Sequence, residues 1–348
     1  MEERVAAAVL EAYARLRIKD GGCWTVVAGV AAVAGDDVEV LSVASGCKCV
    51  GGPASPALVR DGHAEVLAVR ALRRALCEDP TLHARLLAED LWLYATAPPC
   101  GDCAIFALDD GTVAFTGAKL GDWRREDDQL LGATRLKCGR SDTAPDKRSS
   151  SLSCSDKLCR WSARGLQGSV LKHVFPEPLA LAAVVVARQP RAADASLREA
   201  LARSFRRCGA LGAAPPRVAL ADAGADRAAA RAGAAPSSLA VAWWRGAAKA
   251  EVLLAHRGVR RGATAAAARS GAAASALCSD ALFAAAAAVA AAAAPAPPGF
   301  VAGDRLATKR NAPGRAADDA VASALRASLA GARKRPRSPS PAPACAVA

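Results

Sequence analysis

An imidazole and a carboxylate stand two residues apart at His63-Ala64-Glu65, and further along a thiol follows two prolines at Pro98-Pro99-Cys100. Side chains two apart diverge in a helix interior. His63 and Glu65 can therefore serve one centre only from a helix N-terminus, and Gly62 just before them suits such an entry. Leu91 to Thr96 has the composition of a short strand ending at the prolines, and a helix is predicted from Cys100 towards Leu108. Strand, Pro-Cys, then helix sets the Cys100 sulfur at a positive helix end, where thiolate is favoured over thiol.

The flanking sequence alternates in the same way. Val5 to Leu16 reads as an amphipathic helix, and Trp24 to Ala34 and Val38 to Val43 as a hairpin turning at Gly35-Asp36-Asp37. A Gly/Pro loop over Gly46 to Pro56 precedes a predicted helix from His63 to Leu76. Thr116 to Ser151 is polar and reads as a long loop over the site. Leu179 to Ala187 is a clear β run, Ser196 to Arg206 a helix, Ala240 to Trp244 with Ala250 to His256 a second hairpin, and Ser275 to Ala294 a helix. Ala210 to Ala235 carries no readable pattern. From Gly331 onward, Arg333-Lys334-Arg335-Pro336-Arg337 leads into Ser-Pro repeats, so residues 331–348 are expected to be a disordered basic tail after a domain spanning 1–330.

Charge and cysteine usage narrow the function classes. The net charge of +13 points to a polyanionic partner, nucleic acid first. The longest apolar run, Ala284 to Ala294, is too short to cross a bilayer. The N-terminus opens on a charged amphipathic run rather than an apolar leader. An intracellular protein of the nucleus or cytoplasm is expected, its twelve cysteines mostly reduced. No membrane association and no protein partner are evident.

Neutral imidazole and thiolate suit zinc, and catalytic zinc sites use three protein ligands. His63 and Cys100 are two candidates. Glu65 is the candidate proton carrier rather than a ligand. His-x-Glu followed by Pro-Cys-x-x-Cys matches the signature of zinc nucleobase deaminases. The third ligand is open on spacing alone, since Cys103 completes Pro-Cys-x-x-Cys and Cys154 offers another thiol.

Five blocks in order resemble the RNA adenosine deaminase family, which comprises the double-stranded RNA editors and a tRNA-specific branch. They are Asp61-Gly62-His63-Ala64-Glu65, Pro99-Cys100-Gly101-Asp102, Ser153-Cys154-Ser155-Asp156-Lys157, Arg160-Trp161 and Gly165-Leu166-Gln167-Gly168. Gly46-Cys47-Lys48-Cys49 is similar to the family's G-T-K-C loop, with Cys47 where threonine is usual. Gly117-Ala118-Lys119, Leu136-Lys137-Cys138-Gly139-Arg140, Arg260-Arg261-Gly262-Ala263-Thr264 and Arg269-Ser270 resemble the tRNA-specific branch.

The resemblance implies a three-layer α/β fold, a mixed central sheet flanked by helices. It implies Cys154 as the third zinc ligand and hydrolysis at C6 of adenine with Glu65 moving the protons. It implies tRNA as partner, and as substrate the adenosine immediately 3′ of the anticodon of alanine tRNA. It also implies a buried inositol hexakisphosphate, held through Arg70, Lys157, Arg160, Trp161 and Gln167 with Lys137 and Asp61 as relay residues. The family's Tyr-x-x-x-Lys repeats are absent, and Arg305-x-x-x-Lys309 is their nearest trace. Lys48, Lys119 and Arg164 are the expected phosphate grips on RNA. Two rival readings are a cytidine or free-nucleoside deaminase using Cys103, and a non-catalytic RNA-binding protein.

Overall fold

Residues in alternate positions of the central strands enter two different cores. In β1 (Val27–Ala34), Ala28, Val30 and Ala32 face one core, and Val27, Ala31 and Val33 the other. This period of two is what a strand buried on both faces requires. The computed structural model describes residues 1–312 except 20, 54, 115, 121–129, 140–142, 210–211, 230–232 and 294.

Helix α1 (Glu2–Arg15) covers one face of the sheet with Val5, Ala6, Val9 and Tyr13. The second strand, β2 (Asp37–Ser45), pairs antiparallel with β1. Gly29 of β1 lies under α1, where a Cβ would stand 2.7 Å from Val9 Cγ1, so the close helix–sheet approach requires glycine. A small antiparallel ribbon follows, β3 (Cys47–Cys49) with β4 (Asp61–His63). It leads into α2 (Ala64–Glu78), which lies on the opposite face of the sheet and buries Leu67, Leu72 and Leu76 completely. Each such leucine contributes about 1.5–3 kcal/mol of burial. After α3 (Thr81–Leu86) comes β5 (Asp90–Ala95).

The chain then crosses through α4 (Cys154–Arg164) and α5 (Gly168–Leu171) to β6 (Leu181–Ala187), parallel to β5, and through α6 (Asp194–Arg206) to β7 (Arg217–Ala221), parallel to β6. Beyond α7 (Ala225–Ala229), the strands β8 (Leu239–Trp244), β9 (Glu251–Leu254) and β10 (Val259–Arg260) extend the other edge. Helices α8 (Ala265–Arg269), α9 (Ser279–Ala292) and α10 (Arg305–Arg310) complete the described chain. The sheet order is β10-β9-β8-β2-β1-β5-β6-β7, mixed and flanked by helices on both faces, which is the expected layered α/β architecture.

Both predicted hairpins form. One local expectation is corrected. No α-helix starts at Cys100: the chain makes a single 3₁₀ turn, Asp102–Ala104, and Ala114 N–H then donates to the Phe106 carbonyl, drawing the segment into a β-bridge between Ala107 and Val113. Cys154, just beyond the predicted loop, opens α4. The unpatterned stretch from Ala210 contains β7 and α7. Arg140 and the tail from Gly331 lie outside the described residues.

Candidate active site

His63 ends β4 and is the N-cap residue of α2, with extended backbone (φ −69°, ψ 141°), and Glu65 follows in the first turn. The helix entry is held by Ala64 N–H donating to the Gly46 carbonyl at 3.0 Å. His63 and Glu65 thus leave a helix end together, the arrangement their spacing demands.

Cys100 follows β5 on the loop that α4 meets end-on. Ser153 caps α4, its hydroxyl accepting from Asp156 N–H at 3.2 Å. The freed N–H groups of that helix start serve the Cys100 segment. Cys154 N–H points at the Cys100 sulfur at 3.3 Å, and Ser155 N–H donates to the Cys100 carbonyl at 3.0 Å. The helix N-terminus that favours a thiolate at Cys100 therefore belongs to α4, not to Cys100's own segment. Gly101 makes the approach possible. Its φ is +105°, and a Cβ there would lie 2.3 Å from the hydroxyls of Ser153 and Ser155.

Three elements converge on one point. His63 Nδ1 lies 3.7 Å from Cys100 Sγ and 3.5 Å from Cys154 Sγ. Tetrahedral zinc, with Zn–N about 2.0 Å and Zn–S about 2.3 Å, sets nitrogen and sulfur roughly 3.5 Å apart. The cluster is compatible with zinc. Cys103 is outside it. That thiol is fully buried in the 3₁₀ turn, its charged neighbours include Arg207, and burial pushes it up to about 12. Among the described residues a second grouping, Cys49, Asp61 and His63, shares the same histidine.

Charge around the cluster is arranged in layers. Asp61 accepts from Lys137 Nζ at 2.8 and 3.0 Å and from the Ser151 hydroxyl at 2.8 Å, and it pairs with Lys157. Lys137 also donates to Cys154 Sγ at 3.0 Å. Burial pushes the Asp61 carboxyl up, but Lys137 and Lys157 outweigh it and hold the group well below its usual range. Glu65 is the contrasting carboxyl. It is 3 % exposed, burial raises it, and its Oε2 has no hydrogen-bond partner among the described residues.

The aspartates of the two cysteine blocks anchor the loops to α6. Asp102 accepts from Ser204 Oγ and Gly132 N–H, both at 2.7 Å, and Asp156 from Arg207 Nη1 at 2.5 Å and Arg135 N–H at 2.9 Å. Arg203, Ser204 and Arg207 were not foreseen. Only the register of α6 against the loops reveals them, and no motif marks it.

The far half of α4 borders a cavity of about 210 Å³. Of the residues expected to hold an inositol phosphate, Arg70, Arg160, Trp161 and Gln167 line it, whereas Lys137, Lys157 and Asp61 form the relay beside the cysteines. Arg164 also lines it and is only 8 % exposed, which corrects its expected place on an RNA-facing surface. Arg73, Lys172, Arg305 and Lys309 complete a wall that, among the described residues, holds seven cations and no acidic side chain. Arg73 could have been found from its i+3 relation to Arg70 on α2. Arg305 and Lys309 stand one turn apart on α10. Lys48 lies on β3 and Lys119 bridges to Leu136, both half-buried and both away from the cavity wall.

A profile of the adenosine-deaminase (editase) domain matches residues 88–296, a span that contains Cys100 and Cys154. This chain belongs to the adenosine-deaminase (editase) domain family. His63 and Glu65 lie upstream of the matched span and join it through the fold. The chain is 31% identical over 188 residues to tRNA-specific adenosine deaminase 1 of Drosophila melanogaster, covering 45% of this chain and 46% of the relative. It is 28% identical over 189 residues to the double-stranded RNA-specific editase Adar of the same organism, covering 43% and 27%. It is 41% identical over 73 residues to human tRNA-specific adenosine deaminase 1, covering 21% and 14%. The matches thus span less than half the length of these relatives. No helix among the described residues is long and apolar enough to cross a membrane.

Proposed function

We propose that this editase domain, placed at residues 1–330, deaminates adenosine to inosine in tRNA. The position we propose is the adenosine immediately 3′ of the anticodon of alanine tRNA. The observation that carries the reading is Glu65: a buried carboxyl with an oxygen unpartnered among the described residues, next to a His-Cys-Cys cluster spaced for zinc.

His63, Cys100 and Cys154 are the proposed ligands of a zinc ion. When bound, zinc supplies Lewis acidity that makes water a nucleophile at neutral pH. Glu65 takes one proton of the attacking water and passes it to N1 of the adenine, then takes the proton of the hydroxyl formed at C6 and passes it to the departing amine, as the C6–N bond breaks and ammonia leaves. Burial raises the Glu65 carboxyl, bringing its proton affinity closer to what a group that both accepts and returns a proton needs. Lys137 holds the Cys154 sulfur and Asp61 together, and Asp61 in turn accepts the His63 backbone N–H at 3.1 Å. The relay keeps two ligands in register.

The target base must leave its stack to reach so buried a carboxyl, and an unpaired anticodon loop makes that easier than a duplex does. The tRNA reading is supported by the higher identities to tRNA-specific relatives. Lys48 and Lys119 are the proposed phosphate contacts. Incubation of the protein with total tRNA, followed by sequencing, is expected to give A-to-G changes at one anticodon-adjacent adenosine. Unchanged tRNA alongside an edited duplex RNA would move the substrate to the other branch.

The cationic cavity fits the implied inositol hexakisphosphate. Burial together with neighbouring arginines pushes Lys309 down to about 8 and Arg73 down to about 9. Such crowding of cations is costly without anionic partners. Lys309 binds its proton less well folded than unfolded, so without a polyanion stability rises with pH from about 8 towards the ordinary lysine range. Added inositol hexakisphosphate is expected to raise the denaturation midpoint most below pH 8, where Lys309 is charged, and progressively less above it. An equal shift at pH 7 and at pH 10 would remove Lys309 from the site.

A further inference from the structure

We propose that Cys159 and Cys208 are a modification site, a thiol pair that hydrogen peroxide closes into a reversible disulfide between α4 and the end of α6. Neither residue belongs to the metal cluster or the cavity. Their sulfurs lie 3.3 Å apart, and Cys208 Sγ is also 3.5 Å from the Cys159 carbonyl oxygen, so the two segments are in contact at this point. A disulfide needs about 2.05 Å, an approach of roughly 1.2 Å. Cys208 sits beyond the last residue of α6, where the chain has left the helix. α4 and α6 are already registered by the ion pair of Asp156 with Arg207, so the pair meets on a fixed frame.

The two thiols differ in character. A hydrogen bond from Cys208 holds the Cys159 thiol below its ordinary range, with Arg207 also favouring thiolate and burial opposing it. The bond to Cys159, together with burial, holds Cys208 up. Both thiols are fully buried and their sulfurs face one another, and of the two Cys159 has the greater thiolate character, which makes it the attacking sulfur and Cys208 the resolving one. The Cys159 thiolate attacks one peroxide oxygen, the O–O bond breaks, and hydroxide leaves to become water. The Cys208 sulfur then attacks the resulting sulfenic sulfur, the S–O bond breaks, and a second water leaves with the Cys208 proton. Two thiols lose two electrons and one peroxide is reduced to two waters.

The bond would close a loop between positions 49 apart, which stabilises by restricting the unfolded chain. The test treats the full-length protein, as purified, with stepwise hydrogen peroxide. Remaining thiols are alkylated under denaturing conditions, and the protein is digested without reduction. The expected product is a peptide pair joining Cys159 to Cys208 that dithiothreitol separates, accompanied by a denaturation midpoint raised by several degrees. In Cys208→Ser the linked pair is absent and a sulfenic acid is trapped at Cys159 by dimedone. Recovery of both cysteines alkylated from wild-type protein while other cysteines oxidise overturns the proposal, as does their linkage to other partners.

Discussion

Replacing Glu65 with glutamine is expected to lower adenosine deamination by about 10³-fold or more while leaving zinc content at the wild-type level. Glutamine keeps the size and the polar oxygen of the side chain but cannot hold the transferred proton. Positioned proton transfer contributes about 10²–10⁴-fold per step, and Glu65 serves the reaction at both the attacking water and the leaving amine. The substitution also removes a buried carboxyl whose Oε2 has no hydrogen-bond partner among the described residues, so the variant should denature no earlier than wild type. Single-turnover deamination, metal analysis and thermal denaturation on one preparation separate chemistry from folding. Activity within tenfold of wild type would show that the proton moves by another route.

Cys154→Ala should lose zinc affinity by more than about 100-fold, and deamination with it, whereas Cys103→Ala should keep both. Even groups that only orient a metal ligand are worth about 10–100-fold in affinity, and a ligand is worth more. The Cys154 sulfur lies 3.5 Å from His63 Nδ1 and accepts from Lys137, so its loss removes one corner of the cluster and frees the lysine from it. Cys103 touches none of these groups. Its replacement leaves a small void in the core, about 1 kcal/mol of stability, with the metal retained. Zinc content after dialysis against a graded series of chelator reads the difference directly. Retained zinc in Cys154→Ala, with loss in Cys103→Ala, would reverse the assignment and restore the rival deaminase reading.

The contrast between these two cysteines shows how far local pattern reaches. Cys103 follows Cys100 within the same short block and Cys154 comes 54 residues after it, and spacing could not choose between them. The choice is made by the turn at Gly101, which exposes Cys100 to the start of α4 and buries Cys103 beneath α6. A signal for α4 was nonetheless present. Ser153 and Asp156 stand three apart, a serine N-cap with an acidic residue in the first turn, the pattern of a helix start. The predicted helix at Cys100 failed for the complementary reason: the segment after Cys103 found a β-bridge partner at Val113, and a helix cannot supply that pairing. Arg164 shows the same limit for charge. An arginine in a basic stretch reads as surface, yet the far half of α4 points into the cavity it shares with α2 and α10.

Read alone, the sequence determined the strands of both hairpins, the amphipathic face of α1, the helix at α2, and the order of the reactive blocks. These depend on neighbours within a few residues, where alternation and helical periodicity act directly. Only the tertiary structure decided which thiols meet His63, which carboxyl stays unpaired, and which cations share a cavity. Those outcomes depend on contacts between segments dozens to hundreds of residues apart, brought together by the burial of two sheet faces and by the register of helices packed against them.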